Sequence, residues 1–470
     1  MLSGLKKIIS SDTFTLGLAS GLLLFLKLGN MQLPYFWDEA WSYLPAVQEM
    51  AEKGPSLMPG AIPGELYRGH PVLFYFLAAS WMRLFGGSIP AMRLFAMLWA
   101  ALLLWSVYFF VKKNFDKRLA LFVTCLLLIQ SVFLAQASFL LPEVLVALFS
   151  VLALSAYFAE KNWTTTVWLA LLLLTKESGI VLWSVLIFSE IFLKTGRSWP
   201  ERLKRSGQLS LALIPVGLFF LVQKAKLGWL LFPEHLGYLK FSIPAFFKQL
   251  SNACSYLFID MGRNLLTLGG VACAVFLLLT KRTLATGEKE KIRVLTLFVF
   301  VFLIFSAFNF FSPRYLLCVL PFSLLVFSWL IFKGLGEKTI LLFLLLAVIF
   351  LNNAYFTFFK LRGSDHNLGF VYVVKNQQEA VHFCEKSNFR DKRITTGFLM
   401  QKNLTDQRLG YLTGPTVFSN VETEMNPGTE IAIVTSIDDK SLKHQVAQAG
   451  GRLIKRFELK NAWTEVYEIP

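Results

Sequence analysis

The sequence predicts an all-α polytopic membrane protein of about eleven transmembrane helices, with interfacial helices in its first outer loop and a small C-terminal α/β unit outside the membrane. Three observations carry this. Of 470 residues, 55% are hydrophobic and only 16% charged, where a soluble globular chain carries about a quarter charged. Mean hydropathy is +0.55. Apolar runs near the length needed to cross a bilayer recur up to about residue 360 and then stop. The same composition excludes a disordered chain, a coiled coil and a disulfide scaffold.

The spanning runs are 13–29, 90–111, 118–137, 142–159, 207–224, 263–280, 292–311, 313–332 and 339–359. Two shorter runs, 163–175 and 178–193, flank Thr175-Lys176-Glu177-Ser178. The first run follows Lys6 and Lys7 and reads as a retained signal anchor, because no small-residue cleavage site comes after it. Pro71–Gly86 is ambiguous, being 16 residues long and holding Arg83. Positive-inside bookkeeping settles it. With 71–86 at the interface, the N-terminus and the loops on its side collect 19 Lys/Arg, from Lys6 and Lys7 through Lys112, Lys113, Lys117, Arg118 and Lys194–Arg205 to Lys338. If 71–86 crossed, every later loop would invert. The count is then eleven spans, a cytoplasmic N-terminus and an external C-terminus.

Residues 1–360 form the membrane domain and 361–470 an extracytoplasmic one. The first outer loop, 30–90, contains an expected interfacial helix at Glu39–Ala51, then Pro55, Pro59 and Pro63, then Pro71–Gly86. The tail reads as helices near Asn376–Ser387 and Ser441–Ala449, with strands near Arg393–Phe398, Glu430–Thr435, Leu453–Leu459 and Thr464–Ile469. At about 110 residues it is long enough to fold alone. No inverted repeat of the transporter kind is visible.

Charge supports this division. Residues 1–360 hold 32 Lys/Arg against 17 Asp/Glu, and the tail 14 against 13. The basic excess belongs to the membrane part, so it reads as topology and not as nucleic-acid binding. Of five cysteines, three sit in apolar runs, which leaves Cys254 and Cys384; no structural disulfide is expected.

Four short constellations lie at predicted outer ends. Tyr35-Phe36-Trp37-Asp38-Glu39-Ala40-Trp41 sets two carboxylates among aromatic rings just after the first span. The ordinary reading is that Asp38 N-caps the following helix and Glu39 complements its dipole. The functional reading is a carboxylate held near the hydrocarbon boundary for general-base work. Adjacent helical residues point about 100° apart, so one would be the base and the other a supporter. Tyr67-Arg68-Gly69-His70-Pro71 follows; its bland alternative is a snorkelling arginine and a Gly/Pro turn. Ser138-Phe139-Leu140-Leu141-Pro142-Glu143 opens a span and could be only a helix start. Ser312-Pro313-Arg314-Tyr315 places an arginine at an outer mouth, where it could be only an anchor.

Taken in order with Arg93 and the Leu-Thr-Lys-Glu-Ser-Gly turn, these elements resemble the GT-C glycosyltransferases. The resemblance is to the protein O-mannosyltransferase and lipid A aminoarabinose-transferase branch, over residues 10–360. The chain departs from that branch at His70-Pro71-Val72, where a second proline is common, and at Glu143, where Asp is usual.

The resemblance implies an inverting transfer of a sugar from a polyprenyl-phosphate carrier to an acceptor hydroxyl or phosphate on the outer face. It assigns catalytic candidates Asp38, Glu39 and Glu143, and substrate-binding candidates Tyr67, Arg68, His70, Lys176, Glu177, Arg314 and Tyr315. Arg68, Lys176 and Arg314 would meet the phosphate, and Asp38 would take the acceptor proton, with Glu143 next in line. The partners are the lipid-linked donor, an acceptor glycan, lipid or protein, and membrane lipids. No cofactor is expected beyond the lipid-linked sugar, since no cluster with metal-ligand spacing is seen and a divalent metal is not indicated. His235, His366, His382 and His444 read as surface residues.

Rival classes are a transporter or flippase, a polymerase or ligase of lipid-linked glycans, and a non-catalytic relative. A midplane carrier places ionisable residues within spans, whereas here they gather at outer ends. The expected location is a bacterial inner membrane, with the site and the tail on the periplasmic side.

Overall fold

The computed structural model describes residues 12–194, 196–238, 242–282, 284–308, 311–336, 339–359, 363–438 and 440–470. Lys6, Lys7, Lys338 and the last turn of the run 292–311 (residues 309 and 310) lie outside them. The expected class is met: a helical polytopic body followed by a small α/β tail.

The body begins with α1 (Asp12–Lys27), whose Asp12 accepts a hydrogen bond from Tyr108 at 2.8 Å and pairs with Lys112 and Lys117. The first outer loop follows. It holds a π turn at Glu39–Tyr43 continuing into α2 (Leu44–Lys53), a single turn at Gly64–Tyr67, and α3 (Leu73–Phe85). The interfacial helix expected at 39–51 is therefore present, but its first turn is wound more widely than an α-helix.

Besides a short helix at Pro233–Tyr238, the remaining body helices are α4 (Ile89–Asn114), α5 (Lys117–Leu128), α6 (Ser131–Gln136), α7 (Glu143–Phe158), α8 (Asn162–Thr175), α9 (Ile180–Phe188), α10 (Trp199–Ser210), α11 (Leu213–Leu227), α12 (Ile243–Phe258), α13 (Arg263–Leu279), α14 (Thr286–Phe308), α15 (Leu320–Leu335) and α16 (Thr339–Phe359). Their starts are local chemistry. Asp116 accepts from the Arg118 and Leu119 amides to cap α5, and Ser198 with Glu201 forms a capping box on α10. Pro90, Pro244 and Pro321 open α4, α12 and α15, where a missing N–H costs nothing.

Every predicted run carries helix, yet not every run is one straight span. Among the described residues, three helices are long and apolar enough to cross a membrane: Ile89–Asn114, Asp260–Leu279 and Thr286–Phe308. Trp199–Ser210 and Leu213–Leu227 make a fourth if their 42° bend is counted within one span. Turns interrupt several of the other runs. The run 118–137 breaks at Ile129-Gln130, where buried Gln130 accepts from Arg263 at 2.7 Å. A 3-10 turn at Glu177–Gly179 separates α8 from α9, and another at Pro313–Cys318 precedes α15. Such backbone is tolerated at membrane depth where it is buried in protein or lines a cavity.

α7 sits at the centre, packed between α4 and α8. Its Val151, Ala153 and Leu154 are fully buried, which explains an apolar sequence on all its faces.

In the tail, a five-stranded sheet has the order β2-β1-β3-β5-β4, with β1 (Ile394–Thr396), β2 (Val421–Glu422), β3 (Ile431–Thr435), β4 (Arg452–Leu459) and β5 (Ala462–Glu468). β1 is parallel to β2 and β3, while β5 is antiparallel to β3 and β4. α17 (Phe370–Lys386) packs on β5 and β4, and α19 (Lys440–Gln448) sets Leu442 and Val446 against Ala432 and Val434. α18 (Phe398–Thr405) and β2 were not foreseen; both are too short to show a period. The tail is fastened to the body. Tyr35 N donates to Leu409 O at 3.0 Å, Gln136 Nε2 to Asp365 O at 2.7 Å and Leu368 N to Ser131 Oγ at 3.0 Å, and Phe36 stacks on Phe370. All five cysteines are free thiols.

Candidate active site

The irregular turns converge on one cavity of about 920 Å³. Its lining combines charged and apolar side chains. Apolar lining comes from Val146 of α7, Leu173 of α8, Val216 and Phe220 of α11, and Phe302 and Phe305 of α14.

Asp38 begins the π turn, after Trp37 in a left-handed conformation (φ +54°). It does not cap the helix. Oδ1 accepts from Trp41 Nε1 at 3.0 Å, and Oδ2 pairs with Arg314 Nη2. The capping alternative is thus replaced by an indole and a guanidinium that aim the carboxylate into the cavity.

Glu39 turns the other way and does not reach the cavity, which corrects its placing among the catalytic candidates. It is fully buried, accepting from Phe36 N at 3.2 Å, Leu140 N at 2.6 Å and Arg93 Nη1. Arg93 also donates to Ser138 O at 2.5 Å, Leu33 O at 3.2 Å and Pro34 O at 3.1 Å. This knot ties the loop to α4 and to the turn before α7. A buried carboxylate with three donors is satisfied, and its charge is matched by Arg93.

Glu143 opens α7 and lines the cavity. Lys176 Nζ donates to its Oε1 at 3.0 Å, and Arg314 Nε lies 3.4 Å from the same oxygen. Lys176 stands in the turn between α8 and α9, 3.9 Å above the Tyr315 ring. Burial alone would lower its pKa, but Glu143 and Tyr315 more than offset that, so the ammonium is held above the usual lysine value. Glu177 accepts from His70 Nδ1 at 3.0 Å or pairs with it, according to the imidazole's protonation.

Arg68 follows the single turn with φ +51°, then Gly69 with φ +73°. Its guanidinium is sandwiched 5.1 Å from the Trp41 ring and 5.7 Å from Phe232, and Nη2 donates to Glu234 at 3.0 Å. Tyr67 does not line the cavity, contrary to its assignment as a substrate contact. Its hydroxyl donates to Gln223 at 2.9 Å and its ring packs near Trp229.

The three cations read as phosphate partners therefore all carry carboxylates already. Arg314 touches three: Asp38, Glu143 and Asp365. Asp365 and its neighbours Ser364 and His366 were missed by sequence reasoning. His366, taken for a surface residue, lines the cavity beside Ser364, 2.8 Å from its hydroxyl. The available signal was a polar Ser-Asp-His triplet soon after the last span. Burial alone would raise the Asp365 carboxyl; Arg314 and His366 instead hold it down at about 2. Among the described residues, no group of three His, Cys, Asp or Glu side chains is placed to hold a metal ion.

Residues 69–232 match the family of dolichyl-phosphate-mannose-protein mannosyltransferases. That segment contributes His70, Glu143, Lys176 and Glu177 to the cavity. No curated protein sequence matches the chain. Its fold is similar to that of ArnT from Cupriavidus metallidurans bound to undecaprenyl phosphate, with a TM-score of 0.54, 12% identity, and coverage of 97% of this chain and 98% of that one. The same protein in its apo state gives 0.54 and 12%, over 96% and 97%. The expectation drawn from the resemblance is met at the level of the fold over nearly the whole chain, and the family match covers residues 69–232.

Proposed function

We propose that the chain is an inverting glycosyltransferase that moves a sugar from a polyprenyl-phosphate carrier to an acceptor hydroxyl or phosphate. The reading places it in a bacterial inner membrane, with the cavity on the periplasmic side. Support for the reaction class comes from the mannosyltransferase family match of residues 69–232 and from a cavity lined by both apolar and charged side chains. A lipid-linked sugar phosphate combines the same two chemistries. Its prenyl chain would lie along Val216, Phe220, Phe302 and Phe305, and its phosphate would reach Lys176 and Arg314. ArnT, which shares the fold, has been crystallised with undecaprenyl phosphate.

One observation favours Asp38 as the base. Of the three carboxylates that touch Arg314, the Asp38 side chain is 22% exposed, while Glu143 and Asp365 are 3% and 5%. Only Asp38 is open to an incoming hydroxyl. The acceptor oxygen would form its bond to the anomeric carbon as the bond from that carbon to the phosphate oxygen breaks. The proton passes to Asp38, and the electron pair leaves on the phosphate. Lys176 and Arg314 stabilise that departing charge in a site of reduced dielectric. Arg314 Nε makes no hydrogen bond among the described residues and lies 3.4 Å from Glu143 Oε1. No cofactor beyond the lipid-linked sugar is invoked.

Asp38→Asn keeps the acceptor for Trp41 and removes the basicity. Donor binding should survive, and turnover should fall by roughly the 10²–10⁴ that general-base catalysis supplies. Full transfer activity in this variant, measured on purified protein, would move the role to Glu143.

A further inference from the structure

The loop that opens the tail is built into the cavity. Gln136 Nε2 donates to the Asp365 carbonyl at 2.7 Å, Ser131 Oγ accepts from Leu368 N at 3.0 Å, and Tyr256 donates to the His366 carbonyl at 3.4 Å. These contacts fix the backbone on both sides of Asp365, which is 4% exposed. Its Oδ2 pairs with Arg314 Nη1, while Asp38 takes Nη2 of the same guanidinium. A guanidinium is a rigid fork with a fixed set of donors. Each carboxylate that occupies one edge weakens the hold on every other acceptor.

We infer that Asp365 is a positioning residue for Arg314: by occupying one edge of the guanidinium from the tail, it limits how tightly Arg314 grips both Asp38 and a donor phosphate. This rests on the reading of the cavity as a lipid-phosphate-sugar site, and it gives the tail a part in the chemistry. Without Asp365, Arg314 would hold the phosphate more firmly and would keep Asp38 as a locked ion pair. With it, Arg314 divides among competing anions, so phosphate can bind and leave and the hold on Asp38 is loosened enough for it to accept a proton. The effect runs through Arg314, since Asp365 is too buried to meet an acceptor hydroxyl.

The test compares the parent with Asp365→Asn and Asp365→Glu, reading calorimetric affinity for a polyprenyl phosphate in detergent micelles. Asp365→Asn should bind roughly tenfold more tightly, the change carried by one pKa unit of charge interaction. Asp365→Glu restores the charge and should bind like the parent. A purely structural strap would make the Asn variant bind more weakly, and an idle residue would leave affinity unchanged; either result overturns the inference. If the Asn variant fails to purify, Asp365→Ser carries the same expectation. A second arm is independent of the donor. In a double-mutant cycle of Asp38→Asn and Asp365→Asn, melting temperatures should be non-additive, because the two residues share Arg314 without sharing a contact of their own. Additive shifts would remove the coupling. If no protein, parent included, binds polyprenyl phosphate, the donor reading fails, and the melting cycle still decides the role of Asp365.

Discussion

Asp38 and Glu39 are neighbours in sequence, and only Asp38 of the two lines the cavity. The pair of carboxylates after the first span was legible from residue types alone, as was the need for them to point apart. Which one faces the cavity was not. That depends on the left-handed turn at Trp37 and on Arg93, 54 residues away, which claims Glu39. Glu39 thus belongs to stability. Breaking a buried ion pair by removing one partner costs about 3–5 kcal/mol, because the other charge is left unpaired. Glu39→Gln should therefore lower yield and melting temperature, while the folded fraction binds polyprenyl phosphate like the parent. A normally stable Glu39→Gln with weakened donor binding would return Glu39 to the site. Tyr67 teaches the same lesson: the motif flanking it was visible, but Gln223, which takes its hydroxyl, lies 156 positions on.

At the scale of elements, apolar periodicity located the helices, and breaks in that apolarity located the site. Lys176-Glu177 and Pro313-Arg314 interrupt long apolar runs, and both interruptions line the cavity. Hidden from the sequence was the break at Gln130, since a single glutamine in an apolar run carries no signal until Arg263 is seen to reach it. The rim of the cavity depends on one glycine. Gly69 has φ +73°, and a Cβ there would lie 2.8 Å from the Trp229 ring and 3.2 Å from Phe232 Cβ, whose side chain helps to sandwich Arg68. Gly228, in the left-handed region with φ +82°, faces open space. Alanine in left-handed backbone costs about 1–2 kcal/mol. Gly69→Ala must also displace Trp229, so it should melt lower than Gly228→Ala and bind donor phosphate more weakly. Equal melting and equal binding in the two variants would show that the Trp229 and Phe232 packing does not shape the site.

For the molecule as a whole, the site is assembled from the first outer loop, α7, the turn after α8, the turn before α15 and the loop that opens the tail. Residues 38, 143, 176, 314 and 365 converge although nothing in their spacing demands it. The topology expected from the charge bias of the loops puts these segments on one face, and the Asp12 pairing with Lys112 and Lys117 joins the start of α1 to the end of α4 and the start of α5. A topology reporter fused after Arg118 should therefore read cytoplasmic, and one fused at Pro470 external. Two reporters on the same side would separate the site from the tail that the contacts of Asp365 join to it. The account turns on a polyprenyl-phosphate sugar entering this cavity and being consumed there with Asp38 as base, and mass spectrometry of the lipid that co-purifies with the protein tests that most directly. Asp38→Asn should retain the intact polyprenyl-phosphate sugar, while the parent retains mainly the spent polyprenyl phosphate. If neither protein carries a polyprenyl lipid, or the parent holds as much intact donor as the variant, the account is contradicted.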